Sequence, residues 1–470
     1  MKPEELYRSP NALAPHYRRF RVSERLLLTG HSHQAWPDCA FDGQQQAWLD
    51  AAEHADDKWE RAFAMADRVR RGFAGLLGDP HGDIALGANT HELVVRLVSA
   101  LPRRRRRILT TDGEFHTLRR QLDRWEEAGD FRVDRLAAEP AATVGERLAA
   151  AVDETTALVA VSRVFFRNAH VAGGLDRLQE ACLAAGAELL VDAYHALNVV
   201  PVSLAAEGLN AAFVVGGGYK YCQLGEGNCF LRIPPGCSLR PVNTGWFAEF
   251  ESLASAAPAS RKGRGAGAGV GGGDHASGGA AAQEPDVTGG VDGPASAATG
   301  EPDGAYGKGE SGGAAVEGPD VAGRGRDAVG GEPGAVTYGA GAARFAGATY
   351  DPTSHYRAAA IFDFFARQRL APELLRRVSQ HQVGRLAAGF DALDADPRLI
   401  SRDRETPLEA IGGFLVLRSP LAPAICRSLA ARGVRTDSRG ETLRMGPAPY
   451  LSDRQLDDAI GVLGEVVRGS

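Results

Sequence analysis

Apolar positions in the first half of the chain follow two alternating spacings. Over 56–77, Trp59, Phe63, Val69, Phe73 and Leu77 recur at the interval of a helix with one buried face. Short unbroken apolar runs follow: Ile84-Ala85-Leu86, Arg107-Ile108-Leu109-Thr110-Thr111, Ala157-Leu158-Val159-Ala160-Val161, Ala187-Glu188-Leu189-Leu190-Val191-Asp192 and Ala211-Ala212-Phe213-Val214-Val215. Their length and polar or glycine borders predict buried strands. Helical spacing fills the gaps, after Gly87-Ala88-Asn89-Thr90 through Leu101, over 117–128 and over 176–185. Strands alternating with helices predict an α/β fold, a mainly parallel sheet covered by helices on both faces. Ligands of such a sheet sit at the carboxyl ends of its strands.

The pattern changes further on. Helices are expected over 356–368, 371–393, 422–432 and 453–467, with strands at Phe414-Leu415-Val416-Leu417 and Thr442-Leu443-Arg444-Met445. These make a smaller α+β domain. Between the two parts, positions 261–340 hold no Leu, Ile, Phe, Trp, Met or Cys and 25 of the 58 glycines. That composition cannot bury enough apolar surface to offset the entropy of ordering, so a disordered insertion is expected. The expected organisation is an N-terminal segment, 1–54, packing with the small domain; a large domain, 55–250; the insertion, 251–342; and the small domain, 343–470.

A net charge of -6 argues against general affinity for nucleic acid or anionic membrane. The run Arg103-Arg104-Arg105-Arg106-Arg107 is expected to be a solvated helix-to-strand loop. The six cysteines are scattered with no CxxC pair, which disfavours a zinc site or a disulfide framework. No apolar stretch is long enough for a bilayer, and Met1-Lys2-Pro3-Glu4-Glu5 reads as no signal peptide, so a reducing, cytoplasmic setting is expected.

Candidate chemistry centres on Asp192 and Lys220, each closing an apolar run. Lys220 leaves its run through Gly216-Gly217-Gly218 and sits between Tyr219 and Tyr221. A lysine emerging from a buried strand is costly to desolvate unless something uses it. A carboxylate at the end of the preceding strand suits the pyridinium nitrogen of pyridoxal 5'-phosphate, with the lysine as its Schiff-base amine. The competing readings are a helix-capping aspartate and a surface lysine. His195 either faces the ring or is a buried structural histidine. Asn89 and Thr90 open a helix and offer backbone N–H groups and a hydroxyl to a phosphate, or else simply cap the helix. Phe115 either stacks on the cofactor or fills the core. Arg444, inside an apolar strand, either binds a substrate carboxylate or makes a structural salt bridge.

With these residues placed, the chain resembles kynureninase, within the class V aminotransferase superfamily of fold-type I pyridoxal-phosphate enzymes. Four blocks carry the resemblance: Val191-Asp192-Ala193-Tyr194-His195 with Val200-Pro201-Val202, Tyr219-Lys220-Tyr221, Thr244-Gly245-Trp246-Phe247, and Arg444 with Pro447 and Pro449. It implies that Lys220 carries the cofactor and moves protons, aided by Tyr219. Asp192 and His195 would flank the ring, Phe115 would stack on it, and Thr90 and Tyr219 would hold the phosphate. Arg444 would take the substrate carboxylate. Trp246 and Thr349 would lie at a site shared across a homodimer. The implied activity is hydrolytic cleavage of the Cβ–Cγ bond of L-kynurenine, or its 3-hydroxy form, to an anthranilate and L-alanine in tryptophan catabolism. The chain departs from the family at Gly30-His31-Ser32-His33-Gln34, at His116-Thr117-Leu118 and at Gly225-Glu226-Gly227. These departures touch the aryl pocket rather than the cofactor residues. The alternatives are a C–S lyase or desulfurase on the same scaffold, an aminotransferase, and a regulatory protein on an inactive fold. A desulfurase needs a mobile nucleophilic cysteine, and neither Cys222 nor Cys426 is well placed for one.

Overall fold

The computed structural model describes residues 1–250 and 336–469. In chain order the elements are α1 (Pro3–Tyr7), β1 (Leu26–Leu27), α2 (Cys39–His54), α3 (Lys58–Leu76), β2 (Asp83–Gly87), α4 (Thr90–Ser99), β3 (Arg107–Thr111), α5 (His116–Glu127), β4 (Arg132–Leu136), α6 (Val144–Ala149), β5 (Thr156–Ser162), α7 (Leu175–Ala185), β6 (Glu188–Asp192), β7 (Phe213–Gly217) and β8 (Cys229–Ile233). Then come α8 (Thr353–Gln368), α9 (Pro372–Ala392), β9 (Ser401–Arg402), β10 (Leu415–Arg418), α10 (Ala422–Ala431), β11 (Val434–Arg435), β12 (Asp437–Arg439), β13 (Thr442–Met445) and α11 (Asp453–Arg468).

Seven strands form the central sheet in the order β2-β8-β7-β6-β5-β3-β4. From β7 to β4 all pairings are parallel, whereas β8 runs antiparallel to both β7 and β2. Strands β5 and β8 are buried along their whole length, as expected of a sheet covered on both faces. Two strands escape the apolar pattern. Strand β4, Arg132-Val133-Asp134-Arg135-Leu136, lies at an edge and holds only two apolar residues, Val133 and Leu136. Strand β8 contains Arg232, 2% exposed, whose guanidinium is held by Asp79 Oδ2 at 2.8–2.9 Å and by the carbonyls of Asn210 and Ala212. That full set of bonds is what lets a charge sit in a buried strand.

The arginine run is not simply solvated. Arg105 donates to the carbonyls of Thr156, Ala185 and Gly186, and Arg107 pairs with Asp134 and Asp153. These side chains tie together the amino-terminal edge of the sheet, opposite the strand ends that carry Asp192 and Lys220.

The later strands form a second sheet in the order β12-β13-β10-β9, antiparallel throughout. The N-terminal segment joins it, with β1 parallel to β11 and Thr29 bridging Gly446. The insertion read over 251–342 lies outside the described residues as far as 335. From Thr337 onward the chain packs on the sheet, where Ala342 N donates to Asp83 Oδ2 at 2.7 Å and Phe345 is fully buried. No helix among the described residues is long and apolar enough to cross a membrane.

Candidate active site

The parallel register brings the ends of β3, β5, β6 and β7 to one edge, with Ser162 beside Asp192 and Asp192 beside Val215. Beyond β7 the chain passes through Gly218 and turns at Lys220. The turn is closed by Gln223 N donating to the Lys220 carbonyl and Leu224 N to that of Gly218. Glycine is required where the strand leaves the sheet, because a Cβ on Gly217 would lie 2.5 Å from the Tyr194 hydroxyl. Lys220 is 4% exposed, and its Nζ lies 2.8 Å from His195 Nε2. The amine also sits 4.6 Å from the centre of the Tyr194 ring and 5.3 Å from that of Phe115. Asp192 Oδ1 accepts from Tyr194 N at 2.8 Å, a local turn that fixes the carboxylate at the strand end.

Burial sets the protonation of these groups. It lowers the Lys220 amine to about 7, opposed by the Asp192 charge and reinforced by Arg444. Burial raises the Asp192 carboxyl, countered by the Tyr194 N–H bond and by Lys220. His195 is held well below its ordinary range by burial and then by the Lys220 charge, so it is a neutral imidazole.

The other expected residues divide. Phe115 is the N-cap of α5 and packs edge-on to Phe166, within reach of Lys220. Thr90 opens α4, and its backbone N–H helps to lower the thiol of Cys229, whose sulfur touches the Tyr194 hydroxyl at 3.7 Å. The α4 N-terminus therefore stands next to the Asp192–Lys220 pair. Asn89 behaves as its competing reading had it, an N-cap whose Oδ1 accepts from Glu92 N at 2.9 Å. Tyr219 packs on Tyr194 at 5.0 Å. Trp246 Nε1 donates to Thr349 Oγ1 at 3.0 Å, joining two residues 103 positions apart. The ring of Trp246 packs on Phe247 and Phe250, and Thr349 lines a cavity of about 1150 Å³ that reaches Gly87 and Ala88. Arg444 makes the salt bridge of its competing reading: Nη2 bonds both oxygens of Asp437 at 2.8 Å, and Nη1 donates to the Phe166 carbonyl at 2.8 Å.

Three features went unread in the sequence. Glu114, 1% exposed, accepts from Thr111 Oγ1 at 2.7 Å and Ser162 Oγ at 2.6 Å, and burial pushes its carboxyl up to about 7. The only signal was its place beside Phe115. Gln223 links the lysine turn to the N-terminal segment, accepting from Tyr17 and donating to Gln34 Oε1 at 2.8 Å. His33, in the same segment, stacks on Tyr219 at 5.0 Å.

No family model matches the chain. Over 205 residues it is 22% identical to an uncharacterized aminotransferase, YcbU, of Bacillus subtilis (strain 168), a match covering 43% of this chain. The chain thus spans about half the length, 54%, of that curated relative. Solved structures match throughout. The C–S lyase C-DES, as a lysine-to-alanine mutant with glycine linked to its pyridoxal-phosphate cofactor, superposes with a TM-score of 0.68 at 14% identity, over 96% of this chain and 98% of that one. A cysteine desulfurase from Thermococcus onnurineus NA1 gives 0.66 at 16% identity, over 98% and 99%. The cysteine desulfurase CsdA of Escherichia coli gives 0.66 at 13%, over 100% and 99%. The chain shares the fold of these structures, the fold-type I architecture, with a mainly parallel central sheet covered by helices.

Proposed function

We propose that the chain is a pyridoxal-phosphate enzyme that acts on an α-amino acid, and that its reaction is a β-elimination of the C–S lyase kind. The observation that carries this is Lys220, a buried amine 2.8 Å from a neutral histidine at the sheet edge that also carries Asp192. A buried amine whose nearest hydrogen-bond partner is another base is poorly stabilised by the protein alone, and so fits a group that takes a carbonyl ligand.

The residues present fit the cofactor. Lys220 would hold it, Asp192 would face its ring nitrogen, Phe115 would cover a ring face, and Thr90 with the α4 N-terminus would take the phosphate. The bound cofactor supplies an electron sink for the pair left when the substrate α-carbon loses its proton. The protein's part is positional and acid–base. Lys220 would move the proton at the substrate α-carbon, and a pKa of about 7 suits that exchange near neutrality. His195 holds the amine in place. Asp192 would keep a proton on the ring nitrogen.

The cysteines favour the lyase over the desulfurase. All six lie among the described residues and all are free. Cys222 and Cys229, near Lys220, are 1% and 4% exposed, and burial raises both thiols, Cys229 to about 12. Neither is a ready thiolate, which argues against sulfur transfer to a thiol beside Lys220. Similarity to a cystine C–S lyase supports the elimination. Kynureninase activity is the second reading, supported by the Trp246–Thr349 bond that couples two residues of the implied shared site in a homodimer.

Product analysis tests the choice. Protein loaded with pyridoxal phosphate is incubated separately with L-cystine, L-cysteine and L-kynurenine. Pyruvate from a sulfur amino acid is expected. Alanine and anthranilate from L-kynurenine, with no pyruvate from the others, would replace the lyase by the hydrolase.

A further inference from the structure

The N-terminal segment delivers one side chain that nothing above uses. His31 is 1% exposed, and neither of its ring nitrogens has a hydrogen-bond partner among the described residues. Its backbone is tightly fixed. Gly30 N donates to the Gly446 carbonyl at 2.7 Å, and Gly446 N to that of Leu28 at 2.8 Å. Both glycines are needed for the approach, since a Cβ on Gly446 would lie 2.3 Å from His31 Nδ1 and one on Gly30 would lie 2.3 Å from the Pro447 carbonyl oxygen.

The ring is set among the candidate catalytic groups. Its centre lies 4.7 Å from that of Phe414, and the same phenylalanine ring is 6.2 Å from His195 and 5.8 Å from Arg444 Cζ. Thus His31, His195 and Arg444 surround one buried aromatic, and His195 bonds Lys220. An unpartnered buried polar group is destabilising, and an apolar side chain in its place would avoid that cost. Three of the other residues with unpartnered atoms have a local explanation. Those of Asn198, Tyr221 and Ser379 line one small shared cavity of about 20 Å³, room for a water, and His31 is not part of its lining.

Resting on the amino-acid chemistry proposed above, we infer that His31 contacts the substrate, its imidazole hydrogen-bonding a neutral polar group on the substrate side chain. Burial, with the charges of Arg444 and Lys220, holds the ring well below its ordinary pKa, so it offers one N–H and one lone pair and no charge. The α-carboxylate is better matched to Arg444. An uncharged acceptor or donor further along the substrate is what remains for His31. A site that leaves such a nitrogen unpaired with an apolar substrate discriminates strongly against it.

The test uses near-isosteric pairs: S-methyl-L-cysteine sulfoxide against S-methyl-L-cysteine, and L-asparagine against L-leucine. Binding to holoenzyme is measured by calorimetry for wild type, His31→Leu, His31→Asn and His31→Gln, and melting temperatures are taken on the cofactor-free proteins. The wild type is expected to favour the polar member of at least one pair by about tenfold or more. His31→Leu should abolish the preference with an unchanged or higher melting temperature, and Asn or Gln should restore part of it. His31→Phe, which keeps a ring against Phe414, replaces His31→Leu if the latter does not fold. No preference in the wild type overturns the inference, as does a preference unchanged in His31→Leu or an equal loss for both members alongside a lower melting temperature. Borohydride labelling of Lys220 in the same samples reports separately on the cofactor reading.

Discussion

Lys220 Nζ and His195 Nε2 share a 2.8 Å hydrogen bond inside the protein, base to base. The neutral imidazole is fixed as partner, so the proton state of the pair is that of the amine. Burial brings that amine down to about 7, and the Asp192 carboxylate keeps it from falling further. The arrangement holds a lysine that is free to react near neutral pH.

This has a measurable cost in the cofactor-free protein. The folded-state pKa of Lys220, about 7, lies below its ordinary 10.5. Between those values the unfolded chain binds more protons, so stability rises with pH across that window. Wild type should gain stability relative to Lys220→Met from pH 7 to 10, read from urea midpoints. A difference that does not change with pH would contradict the assignment.

Glu114 carries the opposite sign. Its folded pKa, about 7, lies above the ordinary 4.5, so the folded state holds the extra proton and stability falls as pH rises through that interval. Glu114→Gln should therefore gain on wild type between pH 4.5 and 7 and keep a constant lead above it. Equal pH dependence of the two proteins would show that Glu114 is ionised when folded.

Asp192 is expected to act on chemistry more than on attachment. Asp192→Asn should still load cofactor on Lys220 but lose turnover by about a hundredfold or more. Equal turnover would remove the ring-nitrogen role.

Arg444 poses a sharper question, because Asp437 already occupies its fork, the two facing each other across β12 and β13. Carboxylate binding through Arg444 means that Arg444→Lys weakens binding of an L-amino acid about tenfold and leaves that of the decarboxylated amine unchanged. Equal weakening of both would make the arginine purely structural. Asp437→Ala, which strands a buried charge, should destabilise the fold by about 3 kcal/mol in either case.

Much of this architecture was written in local apolar pattern. Arg107–Thr111 and Thr442–Met445 are strands with the ends that their runs imply, and Asp192 and Lys220 fall together at one sheet edge as expected. What escaped depends on distant partners. Strand β8 is masked by Arg232, whose stabilising bonds come from Asp79 and from the loop before β7. The Arg444–Asp437 pair is set by hairpin register, which no spacing rule reveals seven residues away. His31 acquires meaning only when Gly446, 415 positions on, brings the N-terminal segment against it. It stood in plain view as a departure from the resembled motif.

The most direct measurement is chemical. Folded protein saturated with pyridoxal phosphate is reduced with borohydride, digested and mapped by mass. The account requires the pyridoxyl group on Lys220 and its loss in Lys220→Ala. Label confined to other lysines, or none at all in well-folded protein, would contradict the cofactor chemistry and leave the fold alone standing.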